Sequence, residues 1–387
     1  MIFDIAIIGA GASGLMFASN LDKKKFKNIC LIESNNKIGQ KIKVSGGAKC
    51  NITNEFVSDN NYLGDRTFAK EILENFSKDD LLAFLNKNQV FPKINPKIVK
   101  GTYFCNSSQD VIDMFALKTS HIKKYFETKV LDLDFNDFFT IHTSNGKIES
   151  KKVVVASGGL SYSSLGASSF AFDIAKKFNH TINKLNPALV GFTVQKEQFW
   201  FKELSGLSIF VNIFVDGKDG KKKIEGNLLF AHKGFSGPAV LTSSLYWEKG
   251  KIQIDFLPNM KLESFLIGNK NISTALPLPK RFIQEFLSSV DLEDKSCSKL
   301  TQQDLDKLKL LKSYELSPAG NFGFTKAEVT KGGIDTNEIN HNSFESLKQK
   351  DLYFIGECLD LTGELGGFNF QIVFSQAFIC ANDLNKN

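Results

Sequence analysis

An apolar run that passes directly into a glycine-rich turn constrains the fold of this chain more than any other feature. Residues 2–8 are mostly apolar, residues 15–21 carry apolar side chains at helical spacing, and between them lie three glycines, Gly9, Gly11 and Gly14. This order of strand, turn and helix is typical of a nucleotide-binding βαβ unit. A second apolar strand, residues 28–32, ends on Glu33, whose carboxylate can accept hydrogen bonds from ribose hydroxyls.

Each part of this unit has a physical role in binding a dinucleotide. The glycines allow a tight turn, close approach of a pyrophosphate to the backbone, and close packing of helix on strand, while free N–H groups of the helix face the phosphates. Glu33 follows Gly14 by 19 positions, a distance typical of the ribose-binding acid. A bare structural βαβ turn is the alternative. We predict cofactor contacts from Gly9, Gly11, Ala12, Ser13, Gly14, Glu33 and Ser34.

The composition restricts the classes of partner. Hydrophobic residues make up 42% of the 387-residue chain, and no apolar run reaches the roughly 18 residues that a membrane span requires. The net charge of +6 comes almost entirely from scattered lysines, because the chain has only two arginines, and lysine suits bidentate phosphate or base recognition less well. We therefore expect no membrane partner, and solvated surface explains the lysines better than a nucleic-acid face does.

The cysteines and the N-terminal sequence indicate a cytoplasmic protein. The six cysteines form no CxxC pair and no Cys/His cluster with metal spacing, so we expect reduced thiols and no metal. The chain enters its first strand without the basic region or cleavage site of a secretion signal. No feature of the sequence indicates an oligomeric state.

A glycine-rich polar stretch, residues 38–54, follows the second strand. Its small residues suit a loop that lies against a ligand, with clustered backbone donors and added lysine and asparagine side chains. A plain surface loop is the alternative. We predict cofactor contacts from Lys41, Ser45, Gly46, Gly47 and Asn51.

Residues 129–150 alternate between apolar and polar side chains, which predicts a β-meander with a turn at Asn145-Gly146. A separate apolar strand is predicted from Lys152, and it passes into paired glycines. A buried parallel strand has this form when it brings its backbone to a cofactor. We predict cofactor contacts from Val130, Ala156, Ser157 and Gly158.

The pattern changes at about residue 189, where short strands and then a lysine-rich helical part replace the α/β order. A strand near residue 330 and a final strand, residues 352–356, return the chain to the nucleotide domain. We therefore predict an α/β fold with a two-segment Rossmann-type FAD-binding domain, residues 1–188 and 323–387. An inserted β-rich domain with a helical part, residues 189–322, would face the substrate.

The second glycine-rich junction, residues 356–371, is the reason for predicting FAD. A nicotinamide dehydrogenase needs only the first fingerprint, whereas two distant junctions suit a long bipartite cofactor. A helix predicted to begin near Asn369 would favour the anionic reduced flavin if its N-terminus faced the ring. An ordinary C-terminal amphipathic helix is the alternative. We predict contacts from Gly356, Glu357, Asp360, Gly366, Gly367, Phe368, Asn369 and Gln371.

Motifs along the whole chain resemble one bacterial family. Residues 45–54 (SGGAKCNITN), 156–159 (ASGG), 230–238 (FAHKGFSGP) and 356–371 (GECLDLTGELGGFNFQ) are similar to those of the BaiN/YhiN-type NAD(P)/FAD-dependent oxidoreductases, also described as aminoacetone oxidase-like. The resemblance implies a two-segment FAD-binding Rossmann domain and an inserted β-rich domain that covers the flavin.

The chain departs from the family pattern at two places. Ala48 and Lys49 stand where the family has glycine and arginine, which implies the loss of one bidentate contact. Residues 163–170 (SSLGASSF) replace a proline and a Gly-Ser-Thr-Gly-Asp-Gly turn. The difference at residues 163–170 affects the expected substrate-side surface more than the expected FAD site.

His232 is the candidate catalytic residue, because its motif resembles a family motif and histidine exchanges a proton near neutral pH. A hydrogen-bonded structural histidine is the alternative. Cys50 would be either a thiol near the flavin or a small packed residue.

These features together predict an FAD-dependent oxidoreductase that transfers a hydride between flavin N5 and a small organic substrate. NAD(P)H would act as a transient co-substrate, because no second dinucleotide fingerprint of ordinary form is present. The alternatives are a flavin oxidase that uses oxygen, an RNA-associated flavoprotein, and a non-catalytic flavin-binding scaffold.

Overall fold

The computed structural model describes residues 2–95, 99–217 and 220–387. The chain divides into two compact units, one formed by Met1–Pro187 with Glu328–Asn387 and the other by Ala188–Ala327. The first unit has an α/β sheet of the Rossmann type, and the second is mainly antiparallel. The predicted fold class is therefore confirmed.

The first segment of the chain alternates strands with helices. Its strands are β1 (Ile2–Ile8), β2 (Ile29–Ile32), β3 (Asn51–Asn54), β4 (Tyr62–Gly64), β5 (Lys93–Ile94), β6 (Thr102–Phe104), β7 (Lys123–Tyr125), β8 (Val130–Phe135), β9 (Phe139–Thr143), β10 (Gly146–Val155) and β11 (Asn186–Ala188). Its α-helices are α1 (Ala12–Asn20), α2 (Gln40–Val44), α3 (Arg66–Asn75), α4 (Lys78–Lys87), α5 (Ser108–Lys118) and α6 (Phe170–Lys177).

The inserted segment has mostly strands at its start and helices later. Its strands are β12 (Phe192–Val194), β13 (Ser208–Gly217), β14 (Gly220–Ala231), β15 (Gly234–Ser236), β16 (Ile252–Asp255), β17 (Tyr314–Leu316) and β18 (Pro318–Asn321). Its α-helices are α7 (Pro238–Tyr246), α8 (Ile272–Ala275), α9 (Lys280–Ser289) and α10 (Gln302–Lys309). The last segment adds β19 (Val329–Lys331), β20 (Leu352–Phe354), β21 (Leu361–Gly363) and the long helix α11 (Phe368–Lys386).

Parallel strands form the centre of the first unit, in the order β7-β2-β1-β10-β20. β1 and β2 are buried almost throughout, as expected for strands covered on both faces. Helices α1 and α11 pack against each other beside this sheet. The carboxyl ends of β1, β2, β10 and β20 therefore lie along one edge, where open α/β sheets bind their ligands.

The prediction of a separate strand beginning at Lys152 is wrong. β10 runs without interruption from Gly146, pairing antiparallel with β9 over Gly146–Ser150 and parallel with β1 from Glu149 onward. The polar residues between these parts do not end the strand, because backbone hydrogen bonds to a neighbour continue through them. Buried Ser150 also donates its hydroxyl to the carbonyl of Lys152 at 2.7 Å.

The second unit contains a seven-stranded antiparallel sheet in the order β17-β16-β13-β14-β15-β12-β18. Part of its core is aromatic, and the rings that meet there in stacked, tilted or edge-to-face pairs include Phe201, Phe230, Phe235, Phe256 and Phe282. These contacts account for part of the high phenylalanine content. Over the described residues, no helix combines the length and apolar character needed to cross a bilayer.

Candidate functional site

The glycine turn after β1 is a cradle that larger residues would fill. Gly9 has a φ of +106°, and a Cβ atom there would lie 2.5 Å from the carbonyl oxygen of Ala156. A Cβ on Gly14 would collide with the carbonyl oxygen of Gly9. Gly11, in contrast, has an extended backbone and no heavy atom within 4 Å of its Cβ position. The backbone at Gly11 is therefore open to a ligand.

Helix α1 begins immediately after this turn. Its N-cap is Gly11, no side chain caps it, and its first turn contains no acidic residue. The first N–H groups of a helix have no partner within the helix and carry partial positive charge. The start of α1, at Ala12 and Ser13, is thus suited to an anion such as a pyrophosphate.

The Glu33 carboxylate is held at the same turn. Its Oε2 atom accepts a hydrogen bond from the N–H of Ala10 at 2.8 Å, and its Oε1 atom accepts from the N–H and the side-chain amide of Asn35 at 2.8 and 2.7 Å. Ser34 donates its hydroxyl to Oε1 at 3.3 Å. Glu33 is only 8% exposed. Sequence reasoning missed Asn35, whose amide also donates to the carbonyl of Leu165.

The two distant glycine junctions meet in space. Gly356, which follows β20, has a φ of +93°, and a Cβ there would lie 2.5 Å from the Ser13 hydroxyl. Ser157, after β10, has a buried hydroxyl without a hydrogen-bond partner among the described residues. Gly158 has a φ of +77° and open space at its Cβ position. Three strand ends thus leave an open, partly polar space beside the start of α1.

The start of α11 packs against β3. A Cβ on Gly367 would collide with the carbonyl oxygen of Thr53, and the Asn54 amide donates to the carbonyl of Gly366 at 3.0 Å. The backbone carbonyl of Phe368 accepts a hydrogen bond from the buried Tyr62 hydroxyl at 3.0 Å. The structure therefore brings the 45–54 and 356–371 motifs together.

Two amides in the C-terminal motif are occupied within the protein. The Asn369 side chain accepts from the N–H of Gly363 at 2.8 Å and donates to its carbonyl at 2.9 Å. Gln371 is fully buried, accepts from the Thr53 hydroxyl at 2.5 Å and donates to Ser375 at 3.0 Å. Asn369 thus shapes the turn that follows Gly363, and Gln371 holds β3.

The loop after α2 forms a tight turn. Gly46 and Gly47 have φ values of +55° and +64°, and a Cβ on Gly46 would lie 3.0 Å from the nitrogen of Asn51. Ser45 donates its hydroxyl to the carbonyl of Ile42 at 2.7 Å. Cys50 is fully buried, and burial raises the pKa of its thiol to about 12. The Cys50 thiol is therefore protonated at neutral pH.

An ion pair connects α2 with the C-terminal junction. Lys41 Nζ lies 2.5 Å from Glu357 Oε2, and Glu357 Oε1 accepts from the N–H of Thr330 at 2.9 Å. Thr330 Oγ1 in turn accepts from the N–H of Leu160 at 2.8 Å. Sequence reasoning identified Lys41 and Glu357 but missed Thr330, although it lies in the short strand β19, shortly before a glycine pair. Asp360 accepts from the Asn183 amide at 2.8 Å.

The remaining predicted residues lie in other places. Val130 begins β8, is buried and pairs with Thr143. His232 is exposed at the turn between β14 and β15 in the second unit, so its catalytic role stays a prediction. Within the ranges that the structure describes, no group of three or more His, Cys, Asp or Glu side chains is arranged to hold a metal ion.

The residues present fit a dinucleotide cofactor. A cradle that Cβ atoms would fill, an uncapped helix start and an orphaned Ser157 hydroxyl all border the edge where the strands end. The Glu33 carboxylate lies at the end of β2, bonded to the N–H of Ala10 in the same turn. A second glycine junction adjoins the first, which accommodates a cofactor with two halves.

Comparison with known proteins identifies the family of the chain. The model of the HI0933-like protein Rossmann domain matches residues 3–383. The chain is 36% identical to a ribosomal RNA dihydrouridine synthase of Escherichia coli (strain K12), over 99% of this chain and 98% of that protein. It is 27% identical to a 3-dehydro-bile acid delta(4,6)-reductase of Clostridium scindens, over 97% of each chain.

A solved structure supports the fold. The 3-ketosteroid delta1-dehydrogenase from Sterolibacterium denitrificans superimposes with a TM-score of 0.51 and 11% identity, covering 100% of this chain and 99% of that chain.

The family membership that the motifs predict is confirmed by a family model spanning almost the whole chain. The chain belongs to the HI0933-like family and is an FAD-dependent oxidoreductase.

Proposed function

We propose that this protein reduces the C5–C6 double bond of a uridine in ribosomal RNA, giving dihydrouridine. The observation that carries the proposal is the 36% identity, over nearly the full length of both chains, to the ribosomal RNA dihydrouridine synthase of Escherichia coli. The match includes both glycine junctions and the insert, so it is not limited to a shared cofactor domain.

The chemistry suits a wider class of substrate as well. The uridine C5–C6 bond is conjugated to the C4 carbonyl, and the name of the Clostridium scindens relative describes a reductase of steroid double bonds. Both reactions saturate a carbon–carbon bond. Bound FAD, once reduced, supplies the hydride for such a step. The lower identity of 27% makes a small conjugated ketone the second candidate substrate.

The proposed cofactor site distributes FAD along the strand edge. Gly9, Gly11 and the start of α1 would hold the pyrophosphate, and Glu33 would hold the adenosine ribose. The glycines of the 45–47 turn, the backbone of 156–158 and the junction 356–368 would border the flavin half. In this arrangement Glu33 serves the flavin cofactor and carries no preference between NADH and NADPH.

An RNA substrate differs from what the composition alone favours. Lysine is a point charge that contacts phosphates without the bidentate geometry of arginine. We infer that the lysines contribute affinity for the RNA backbone, while the target uridine is selected by its fit to the site. Binding of this kind weakens steeply as salt concentration rises.

The test uses ribosomal RNA from a bacterial strain that lacks its own dihydrouridine synthase. The purified flavoprotein, this RNA and either NADH or NADPH are incubated without oxygen, and nuclease fragments are analysed by mass spectrometry. We expect the mass of two added hydrogen atoms at a single uridine. Reduction of a cyclic enone without any change in the RNA would instead favour the small-molecule reductase.

Anaerobic absorbance spectra identify the redox partner. Bleaching of the flavin by NADH or NADPH would support the predicted transient co-substrate. Flavin that neither nicotinamide bleaches, together with rapid reaction of the reduced flavin with oxygen, would favour the oxidase alternative.

A further inference from the structure

A pocket of about 470 Å³ lies in the first unit, where two outer strands of the parallel sheet end. β2 and β7 pair in parallel, so their carboxyl ends lie at the same edge of the sheet. The chain that follows β2 contributes residues 36–38 to the lining, and the chain that follows β7 contributes Phe126. Helices α2 and α5 contribute most of the rest. They pack closely, because a Cβ on Gly39 would lie 3.0 Å from Ile112 Cγ1.

The pocket uses other residues than the proposed FAD site. None of the residues that line it is among those predicted to contact the cofactor. Gln40 and Lys43 are three positions apart, which places them on one face of α2, and both line the pocket. Lys41 lies on another face of α2, in its ion pair with Glu357. The two faces of this short helix therefore serve different places.

The charges around the pocket are mostly of one sign. Among the described residues, its lining includes Lys37, Lys43 and Lys124 and no acidic side chain. In the described part of the chain, the ammonium groups of Lys37 and Lys43 have no ion-pair or hydrogen-bond partner. Asp113 accepts a hydrogen bond at 2.8 Å from the amide of Gln109, a lining residue, so one acid stands near three cations. This arrangement favours an anionic ligand.

Lys124 adds to the preference for an anion. It is half-buried and donates to the backbone carbonyl of Thr119, and over the ranges that the structure describes no carboxylate pairs with it. Burial lowers the pKa of its ammonium group, because a cation with little solvent and no opposite charge is disfavoured. A phosphate in the pocket would supply that opposite charge.

The pocket also suits a planar base. Phe126 is 37% exposed, so a ligand in the pocket can reach part of its ring. Asn36 and Gln40 line the pocket with side-chain amides that make no hydrogen bond to any described residue. An amide can both donate to and accept from the edge of a base. Aromatic rings for stacking and cations for the backbone are the combination that binds single-stranded nucleic acids.

We propose that this pocket binds a nucleotide of single-stranded RNA, with its base against Phe126 and its flanking phosphates against Lys37 and Lys43. The assignment rests on the proposed function. The nucleotide in the pocket is not the one that reacts, so the pocket contributes affinity and position but no chemistry. Because Lys37 and Lys43 are exposed, a polymer can reach them. Lysine suffices here, since a backbone phosphate needs a point charge and no bidentate contact.

The first test measures the RNA affinity of the FAD-loaded protein by fluorescence anisotropy, with a labelled oligouridylate as the probe. Phe126→Leu keeps an apolar side chain but removes the ring. We expect it to weaken binding roughly 5–150-fold, the range for the loss of one base–aromatic stack. Phe126→Tyr keeps the ring and should bind nearly as wild type does. FAD content and the urea midpoint of both variants should match those of wild type.

The salt dependence of the same binding tests the lysines. For a single strand, each phosphate contact contributes about 0.7 to the magnitude of the slope of log affinity against log salt concentration. Lys37→Gln combined with Lys43→Gln should therefore lower that magnitude by about 1.4. Lys147→Gln combined with Lys176→Gln removes two exposed lysines outside the pocket lining and should leave the slope unchanged.

Wild-type affinity and slope in the pocket variants would overturn the proposal, as would an equal loss in the control variant. A higher NADPH concentration for half-maximal flavin reduction, with unchanged RNA affinity, would assign the pocket to a free dinucleotide and also overturn it. Dihydrouridine formation by wild type tests the proposed function separately. If wild type forms dihydrouridine while the pocket variants bind RNA normally, only the pocket assignment is wrong. If the variants lose RNA affinity but wild type forms no dihydrouridine, the pocket assignment stands and the reaction is wrong.

Discussion

The backbone N–H of Ala10 donates a 2.8 Å hydrogen bond to the carboxylate of Glu33, so the end of β2 is tied to the glycine turn after β1. Asn35 adds two further donors to the same carboxylate. Glu33 thus orders the glycine turn, and we propose that its remaining acceptor capacity serves a ribose. The hydrogen bonds from Ala10 and Asn35 explain why the carboxylate of Glu33 is buried at the end of β2.

Replacing Glu33 with Gln should weaken FAD binding by roughly 10–100-fold. The neutral amide accepts weaker hydrogen bonds, and loss of one bond to a charged group costs about 1.5–3 kcal/mol. Fluorescence titration of the flavin-free protein with FAD measures the change. Glu74→Gln, on the exposed surface of α3, is the matched control and should bind FAD as wild type does. Equal affinities in all three proteins would refute the ribose role.

Gly11→Ala and Gly14→Ala should differ in their effect on the flavin-free protein. A Cβ on Gly11 meets no heavy atom within 4 Å, so its stability should stay within about 0.5 kcal/mol of wild type while FAD binding is lost. A Cβ on Gly14 meets backbone, which cannot move cheaply, and overpacking should cost about 1–3 kcal/mol. Urea unfolding and FAD titration separate the two. Normal FAD affinity in Gly11→Ala would exclude a pyrophosphate at this turn.

The Lys41–Glu357 ion pair should contribute measurable coupling between distant parts of the first unit. The Lys41 side chain is 35% exposed and that of Glu357 18% exposed, so solvent screens part of the attraction. A double-mutant cycle with Lys41→Met and Glu357→Gln should give about 1 kcal/mol of coupling in urea unfolding. Lys70→Met and Glu74→Gln, an exposed pair on α3 with a 3.8 Å separation, should couple less. Comparable values for both pairs would contradict this expectation.

Asp304 should make part of the protein's stability depend on pH at the acidic end. Hydrogen bonds from Lys295 and from the N–H of Thr301 lower the pKa of Asp304 to about 2, below its ordinary value of 3.8. A carboxyl whose pKa is lowered by folding stabilises the folded state above its ordinary pKa, and this contribution is lost as pH falls towards 2. Urea midpoints of wild type and Asp304→Asn should therefore converge between pH 4 and pH 2. A constant difference would show that the charge of Asp304 is irrelevant.

Local sequence patterns predict much of the first unit because each depends on short-range physics. A run of apolar residues before a glycine turn allows few structures, and Ser77 and Ser107 accept N-cap hydrogen bonds at the starts of α4 and α5, the positions that serine favours. The predicted end of a strand before Lys152 is wrong because a local pattern contains no information about pairing. The polar residues there suggest a strand end, whereas hydrogen bonds to β9 and then to β1 keep β10 continuous.

The sequence by itself determined the Rossmann-type fold and the family, whereas the cofactor contacts that it indicates stay predictions. Only the tertiary structure decided which polar side chains are already hydrogen-bonded within the protein. Asn369 and Gln371 are consumed by bonds to Gly363 and Thr53, whereas the Ser157 hydroxyl is buried without a hydrogen-bond partner among the described residues. The physical reason is that a hydrogen-bond partner can come from a distant part of the chain, as for Thr53 and Gln371, whose separation in sequence is 318. Spacing along the chain carries no information about such pairs.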